Sequence, residues 1–308
     1  MTAVKLSDMM KKRQLLSFEL FPPKTDRGMA NLSETIQQLC RYKPEYISVT
    51  YGAGGGNVGA NRQVCRMVRN AGTVPVTHFT VIRNTKQGIR EQLETYLKEG
   101  VDHILALRGD FPRGETSTGG DFNYATDLVK FIRDEFGEQF EIAVAGSPEG
   151  HISCRSLEAD IGVLKMKQDN GADYIMTQLC WDMEQFERWL DKIRRAGVTL
   201  PVDVGIMPIL DQAATINMAL SRNGCVMDRE LSRLISKYWI FPNPFDKAPF
   251  DDSLEQKKAD FKKAGIEYTI RHIDKYRSLG VEGIHLYAMN KWKDVSQIIE
   301  RSGIRTLI

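Results

Sequence analysis

The sequence predicts an α/β fold, a (β/α)8 or TIM barrel, built as a single domain over residues 1–308. Three observations support this fold class. Apolar runs of about seven residues alternate with segments of helical periodicity. The runs are apolar on both faces, as parallel strands covered by helices are, and a glycine pattern recurs where helical segments end. The eight candidate strands are 15–21, 46–52, 74–80, 103–109, 141–147, 174–180, 202–208 and 283–289.

Between these strands, apolar residues recur at spacings of three and four, which is typical of helices that bury one face. Glycines 100, 171 and 280 each follow such a segment and precede a short turn into a strand, the position at which a glycine ends a helix. The clearest helical segments contain Ile89, Leu93, Tyr96 and Leu97, then Leu157, Ile161 and Leu164, then Phe186, Trp189, Leu190 and Ile193.

The spacing of these glycines also predicts an extra helical insertion before the last strand. Gly100 and Gly171 lie 71 residues apart and span two βα units, whereas Gly171 and Gly280 lie 109 residues apart and also span two units. The excess of about 38 residues must include 238–252, which is rich in aromatic residues and proline. This segment is either a lid over the site or an extra helix pair with a packed loop.

A doubly wound open sheet is the main structural alternative, because Gly54, Gly56 and Gly59 form a GxGxxG pattern after the second strand. The acidic residue that should end the next strand of a dinucleotide-binding unit is missing from 74–80. We interpret the glycines as a loop that lets a planar or phosphorylated ligand approach the backbone. A simple flexible turn remains the alternative.

Composition excludes several classes of protein. The 42 Lys and Arg residues nearly balance the 40 Asp and Glu residues and are spread along the chain, so we expect no nucleic-acid partner. No apolar run approaches the roughly 20 residues of a membrane span, and no secretory signal opens the chain, so we expect no membrane partner and a cytoplasmic location. The five cysteines and five histidines form no metal-binding pattern, which predicts reduced thiols and no metal site.

Active sites of such barrels lie at the carboxyl ends of the strands. Glu19 interrupts an apolar strand there, which predicts a raised pKa and a general-acid role. Alternatively, Glu19 faces a solvated barrel mouth or pairs with Arg108. A salt bridge alone could explain Arg108 and Asp110, and His78 could be a satisfied core histidine. The polar residues at the strand ends are Glu19, Thr50, Tyr51, His78, Arg108, Asp110, Ser147, Gln178, Asn290 and Lys291.

Six segments together resemble the methylenetetrahydrofolate reductase family in order and spacing, over residues 15–302. They are SFELFPPKT at 17–25, SVTYGA at 48–53, HFT at 78–80, ALRGD at 106–110, PEGH at 148–151 and TQ at 177–178. The resemblance implies a flavin-dependent barrel that reduces 5,10-methylenetetrahydrofolate to 5-methyltetrahydrofolate in one-carbon metabolism and methionine biosynthesis. It implies ping-pong hydride transfer through flavin N5, and we expect a homo-oligomer without the S-adenosylmethionine-binding domain of larger eukaryotic members.

The resemblance also implies residue roles. Glu19 matches the acid that protonates N10 of the folate, Asp110 the carboxylate near flavin N1 and the pterin, and Gln178 an amide that binds the pterin or the nicotinamide. Lys291 falls on a substrate-binding position. The implied cofactor is FAD, with NADH or NADPH as electron donor. The flavin-contacting positions are Thr50, Tyr51, Ala53, His78, Arg108, Gly109, Asp110, Tyr124, Ala125, His151, Asp160 and Lys167.

Some positions depart from the family pattern. Ser147 replaces an aromatic residue, and Val163 and Met166 replace polar residues near the nucleotide tail, so FMN is an alternative to FAD. On the folate side, Ala214 replaces Gln, Met218 replaces Phe and Lys291 replaces Arg, which leaves an electron-transfer partner protein as an alternative donor. Other functions left open are the oxidative direction, a partner-dependent subunit of one-carbon or acetate metabolism, and a non-catalytic flavin- or pterin-binding subunit.

Overall fold

The computed structural model describes residues 5–51, 58–111, 114–221, 223–240 and 253–307. Eight parallel strands pair in chain order and close into a barrel, which confirms the predicted fold class. Seven of the strands end one to three residues before the predicted boundary, and the remaining residues of each predicted run lie in the loop that follows. The strands are β1 Leu15–Leu20, β2 Tyr46–Val49, β3 Val74–Thr80, β4 His103–Leu107, β5 Glu141–Gly146, β6 Tyr174–Thr177, β7 Val202–Ile206 and β8 Gly283–Tyr287.

Helices surround the barrel and cover it with their apolar faces. The three amphipathic segments recognised in the sequence fall in α4, α6 and α7. Most of their periodic residues are buried, and the others pack against the core. The helices are α1 Leu6–Met10, α2 Asp26–Cys40, α3 Val58–Asn70, α4 Lys86–Lys98, α5 Ala125–Phe136, α6 Leu157–Asp169, α7 Met183–Arg195, α8 Gln212–Ala219, α9 Arg229–Lys237, α10 Ser253–Ser278 and α11 Trp292–Ser302.

The predicted insertion before the last strand is helical. Helices α8 and α9 lie between β7 and the long helix α10. The side chain of Gln212 joins them, because its amide donates to the carbonyl oxygens of Ile235 (3.0 Å) and Tyr238 (2.9 Å). The possible lid at 238–252 falls mostly outside the described residues. Gly100, Gly171 and Gly280 have φ angles of +71°, +104° and +71°, as predicted for helix-ending glycines.

The amino-terminal end of the barrel, which we call the floor, is closed by α1. Leu6 and Met10 pack into the barrel interior with the first residues of the strands. The carboxylate of Glu141, at the start of β5, accepts the backbone N–H groups of Leu6 (2.7 Å) and Ser7 (2.8 Å) and the Ser7 hydroxyl (2.5 Å). Glu141 therefore satisfies the free N–H groups at the start of this helix.

A charged histidine completes the floor. His103 Nε2 lies 3.1 Å from Glu141, and its Nδ1 lies 2.7 Å from Asp102. Burial alone would lower the pKa of His103, but the hydrogen bonds to both carboxylates raise it to about 9. The floor therefore holds a buried ion pair.

None of the described helices is long and apolar enough to span a membrane.

Candidate active site

At the carboxyl end of the barrel, which we call the mouth, Glu19 lies between two histidines. Side chains alternate along a strand, so that Glu19 on β1, His78 on β3 and His285 on β8 all point inward. Glu19 Oε2 lies 3.4 Å from His78 Nε2 and 3.9 Å from His285 Nε2. The Glu19 side chain is 23% exposed, so that a molecule at the mouth can reach it.

The predicted rise in the pKa of Glu19 is wrong for this structure. Burial raises the pKa of Glu19, but the polar and electrostatic interactions of its carboxylate with His285 and His78 outweigh that effect, and the net shift is downward. Burial also lowers the pKa of His78, which is neutral near pH 7. His285 is therefore the stronger control on the Glu19 proton. The alternative pairing of Glu19 with Arg108 is not formed between these two described residues.

His285 is the main residue that sequence analysis missed. Its Nδ1 lies 2.7 Å from Ser17 Oγ and its Nε2 lies 3.2 Å from Ser48 Oγ. Ser17 and Glu19 occupy alternate positions of β1, and that period of two was a signal that both face the barrel interior. The pairing of β1 with β8 then brings His285 opposite Ser17.

The end of β2 is held by Asn61 of α3. Its amide nitrogen donates to the carbonyl oxygens of Val49 (3.0 Å) and Thr50 (3.1 Å). Its carbonyl oxygen accepts the hydroxyls of Thr77 (2.9 Å) and Tyr96 (2.7 Å). Asn61 thus fixes the backbone of Thr50, one of the expected flavin-contacting positions, at the mouth.

Tyr51 follows Thr50, but the Tyr51 hydroxyl is hydrogen-bonded to a side chain of α4. The Tyr51 hydroxyl donates to the Gln92 side chain (2.7 Å), and burial raises the pKa of Tyr51 to about 12. The Tyr51 hydroxyl therefore has no hydrogen left to donate to a ligand, and its backbone and ring remain available. Ala53, with Gly54 and Gly56 of the glycine pattern, lies outside the described residues.

The loop after β4 brings a cation and a carboxylate to the mouth. Gly109 has a φ of +87°, and a Cβ there would lie 2.7 Å from the side chain of Ile82, so this turn requires glycine. The Arg108 guanidinium lies 4.6 Å from the centre of the Phe111 ring. Asp110 is exposed and forms no ion pair with Arg108, so the salt-bridge explanation for these residues is wrong.

Three further expected flavin contacts gather beyond β5. Lys167 Nζ donates to the carbonyl oxygen of Ala145 (2.8 Å), and burial lowers its pKa despite the opposing charge of Asp160. Burial also lowers the pKa of His151, and the positive charge of Arg108 lowers it further. His151, Asp160 and Lys167 therefore lie in one electrostatic cluster with Arg108, and its cations can hold phosphate groups.

Apolar and aromatic side chains are exposed around the mouth. Tyr124 is the residue before α5 and is 61% exposed, and Ala125, the first residue of α5, is half-buried. The Tyr124 N–H donates to the Asp127 carboxylate (2.9 Å), which fixes the start of the helix. The other large exposed apolar residues in the mouth loops are Phe21, Phe111, Ile152 and Met289.

Besides Asp110, the expected folate-binding positions follow β6, β7 and β8. The Gln178 side-chain oxygen accepts the N–H of Leu179 (2.9 Å), and its amide nitrogen has no partner among the described residues. Lys291 is exposed at the start of α11. On α8, Ala214 is exposed and Met218 is half-buried, one helical turn apart.

The mouth fits a flavin. His78 Nε2 and Thr80 Oγ1 are buried without a hydrogen-bond partner among the described residues, and both belong to the carboxyl end of β3. Buried polar atoms of this kind call for a ligand or water. Together with the apolar rim and the cations Arg108 and Lys167, they match a planar group with polar edges and a phosphate. No cluster of metal-binding side chains occurs in the described parts of the chain.

Glu149 is a second residue whose importance the sequence did not indicate. Its carboxylate accepts the N–H of Val226 (3.1 Å), which joins the loop after β5 to the inserted helices. Burial raises the pKa of Glu149 to about 7, although this hydrogen bond opposes the shift. Glu149 therefore titrates close to neutral pH at the edge of the mouth.

Comparison with known proteins gives a family match over most of the chain. The family model described as methylenetetrahydrofolate reductase matches residues 5–235. The Arabidopsis thaliana protein named methylenetetrahydrofolate reductase (NADH) 1 is 32% identical over 301 residues, which are 94% of this chain and 48% of that protein. The Escherichia coli 5,10-methylenetetrahydrofolate reductase is 29% identical over 291 residues, which are 94% of this chain and 91% of that protein. The chain thus spans about half the length of the plant relative.

A solved structure with the same fold comes from Clostridium thermocellum. That protein, described as binding two copies of 5-methyl-5,6,7,8-tetrahydrofolic acid, superposes with a TM-score of 0.60 at 12% identity, over 97% of this chain and 99% of its own. At this identity the likeness shows the fold alone.

Proposed function

Because the chain belongs to the methylenetetrahydrofolate reductase family, we propose that it is a flavin-dependent oxidoreductase that reduces 5,10-methylenetetrahydrofolate to 5-methyltetrahydrofolate. All 308 residues would act as one flavin-binding barrel domain. The single observation that carries the proposal is the position of Glu19, a partly exposed carboxyl group held between His78 and His285 at the mouth. A binding protein has no use for an acid in that place, whereas this reaction requires one.

The proposed role of Glu19 is to give a proton to N10 of the folate. The five-membered ring of the substrate opens when N10 leaves as a neutral amine, and a carboxylic acid within reach can supply the proton. Glu19 must take up a proton before it can act in this way, because its pKa is lowered in the protein without substrate, and expulsion of water by a bound folate would favour the protonated form. His78 and His285 orient the carboxyl group.

Asp110 and Gln178 are proposed to recognise the folate head. Asp110 is exposed at the end of β4, where its negative charge would stabilise the positive charge that ring opening produces on the substrate. The amide nitrogen of Gln178 has no partner among the described residues and can donate to the pterin. Lys291, at the start of α11, is proposed to contact the folate tail.

The cofactor is proposed to be FAD, with FMN as the alternative. His78 and Thr80 would bind the polar edge of the ring system, and Arg108 and Lys167 would bind phosphate. Val163 and Met166 of α6, where polar contacts to the nucleotide tail were expected, are apolar, and Met166 is 52% exposed. The flavin would supply a two-electron carrier between donor and folate, which use one mouth in turn, and this predicts ping-pong kinetics. Relatives are named for either NADH or NADPH as donor.

The test starts from the absorption spectrum of the purified protein, with the released cofactor identified by mass. We expect one non-covalent flavin per chain, and a protein that binds no flavin when FAD and FMN are supplied would overturn the proposal. The protein is then mixed with NADH or NADPH without oxygen, and methylenetetrahydrofolate is added. Bleaching by the nicotinamide followed by recovery with the folate supports the full proposal. Recovery only after chemical reduction would exclude a free nicotinamide as donor and favour a partner protein.

A further inference from the structure

The ends of β2 and β3 at the mouth carry several of the expected flavin contacts, among them Thr50 and His78. Strand β2 has four residues, and its pairing with β3 ends where Val49 lies opposite Thr77. Past this point the N–H of Thr50 donates to the carbonyl oxygen of Leu20 on β1 (3.0 Å). The backbone pairing between β2 and β3 therefore stops short of Thr50.

Asn61 of α3 joins the two strands at the point where this pairing stops. Its side chain is fully buried. The amide nitrogen donates to the carbonyl oxygens of Val49 (3.0 Å) and Thr50 (3.1 Å). The amide oxygen accepts the hydroxyls of Thr77 on β3 (2.9 Å) and Tyr96 on α4 (2.7 Å). An amide has two N–H donors and two acceptor lone pairs, so these four hydrogen bonds use its full capacity.

A second connection between the strand ends passes through two further amide side chains. The Tyr51 hydroxyl donates to the side-chain oxygen of Gln92 on α4 (2.7 Å), and the Gln92 amide nitrogen donates to the side-chain oxygen of Asn84 (3.0 Å). The Asn84 amide nitrogen donates to the carbonyl oxygen of Thr80, the last residue of β3 (3.1 Å). The residue that follows Thr50 is therefore tied to the end of β3 as well.

Asn61 lies on the helix side of the barrel wall, opposite the side that faces a ligand. Side chains alternate along β3, so Thr77 points outward to α3 while His78 and Thr80 point into the mouth. His78 Nε2 and Thr80 Oγ1 are buried without a hydrogen-bond partner among the described residues. The outward-facing amide of Asn61 is fully satisfied, and a buried polar network of that kind is rigid. The strand ends are held from behind, while polar groups in front of them are left for a ligand.

We propose that Asn61, supported by the Gln92–Asn84 pair, is a positioning residue for the flavin. It holds the ends of β2 and β3 at the distance that lets Thr50 and His78 contact one ring system together. A planar ring cannot adapt its shape to a change in strand spacing, so its binding depends on groups held to within about 0.5 Å. Asn61 acts on the ligand through the backbone of Thr50. The inference rests on the proposed function, which supplies the identity of the ligand.

The first test measures backbone hydrogen exchange in the whole protein without flavin. Thr50 and Gln178 occupy equivalent positions, because each is the first residue after a four-residue strand. Each also donates its N–H to the preceding strand, to Leu20 (3.0 Å) and Gly146 (2.8 Å) respectively. We expect N61A to speed exchange at the Thr50 amide about tenfold relative to the Gln178 amide. A general loss of stability would speed exchange at both amides alike.

The second test measures the dissociation constant of the flavin by fluorescence titration. We expect N61A to weaken flavin binding about tenfold, the effect of losing about one net hydrogen bond, and Q92A to weaken it about threefold. Y96F is the control for N61A, because it removes a hydroxyl bound to Asn61 but leaves both bonds to β2. Q87A is the control for Q92A, because Gln87 is an exposed amide on the same helix, bonded to Glu91 (2.7 Å). Both controls should bind flavin as the unaltered protein does.

Flavin binding that is unchanged in N61A, or weakened equally in N61A and Y96F, overturns the proposal. So does an N61A protein in which the exchange ratio of the two amides stays the same. If N61A does not fold, Q92A decides, and flavin binding by Q92A equal to that of Q87A overturns the proposal.

These outcomes are distinct from failure of the proposed function. An unaltered protein that binds no flavin would contradict the proposed function, and the role of Asn61 in flavin binding would fall with it. An unaltered protein that binds flavin no better than N61A does would contradict only the role of Asn61.

Discussion

Among the described residues, a glutamate lies beside histidine at each end of the barrel, and the two ends differ in how completely the hydrogen bonds of these groups are satisfied. At the floor, Glu141 accepts hydrogen bonds from α1 and lies 3.1 Å from His103. At the mouth, Glu19 lies 3.4 Å from His78, and the facing nitrogen of that ring has no hydrogen-bond partner among the described residues. The same two residue types therefore form a pair with satisfied hydrogen bonds at the floor and a pair with an unpartnered ring nitrogen at the mouth.

Electrostatics follows from this difference. His103 has its pKa raised to about 9 by two carboxylates, so it is charged at neutral pH. His78 has its pKa lowered by burial, and one carboxylate at a longer distance does not reverse the shift. A pair whose hydrogen-bonding groups all have partners stabilises the fold. A pair with an unpartnered donor or acceptor can offer that group to a ligand.

The largest expected effect comes from removing the acid at the mouth. E19Q keeps the size and polarity of the side chain but cannot give a proton, so we expect folate reduction to fall by about 10² to 10⁴-fold. The free energy of unfolding should change by less than about 1 kcal/mol, because Glu19 makes few hydrogen bonds. Stopped-flow measurement of both half-reactions checks this. An equal loss in cofactor reduction by the donor would show that Glu19 is structural.

The corresponding change at the floor should affect stability instead. E141Q breaks a buried ion pair and weakens the cap of α1, and we expect it to lower the free energy of unfolding by about 3–5 kcal/mol. Denaturant unfolding measures the loss. The folate half-reaction of the folded fraction should stay at its original rate. A slow folded E141Q protein would mean that the two ends of the barrel are coupled.

The pH dependence of stability separates the two histidines. The pKa of His103 rises from its ordinary 6.5 to about 9 on folding. Its contribution is therefore fully present below about pH 6.5 and is lost as the pH rises through about 9, a decrease of about 3 kcal/mol. Unfolding curves across this range should show the decrease in the unaltered protein and in H78Q but not in H103Q. The same decrease in H103Q would contradict the assignment.

The smallest expected effects come from two hydroxyl groups. S7A removes a hydrogen bond to the Glu141 carboxylate and should cost about 2 kcal/mol. T80V removes a buried hydroxyl that has no partner among the described residues, so stability should rise by about 1 kcal/mol. Flavin binding, measured by fluorescence titration, should weaken only in T80V. Weaker flavin binding in S7A would show that a change at the floor also alters the ligand site at the mouth.

The fold was accessible from the sequence because each barrel unit repeats a local pattern. Each of three patterns can be recognised within about 15 residues of chain. They are strands apolar on both faces, helices with one apolar stripe and glycines at helix ends. The boundaries of the strands at the mouth were predicted too late, because residues such as Thr50 and Gln178 continue the β-like run and still donate one backbone hydrogen bond to the neighbouring strand, although the strands themselves end at Val49 and Thr177.

The candidate site was accessible only in part. Glu19, His78 and Arg108 stand out as polar residues at strand ends, but the contact that controls Glu19 comes from His285, which lies far along the chain and is placed by barrel closure. The direction of the Glu19 pKa shift depends on that contact, so the sequence led to the wrong sign.

The hydrogen bonds between α1 and the Glu141 carboxylate of β5 also affect the order in which parts of the chain can fold. Helix α1 has five residues and is too short to persist alone in water. The carboxylate that caps it stands 135 residues further along the chain. On the ribosome this helix must therefore wait for more than a third of the protein to be synthesised, and during that interval the inner ends of the first strands stay uncovered. Chaperones that bind apolar segments should engage the nascent chain in this window and release it once residue 141 has emerged and paired.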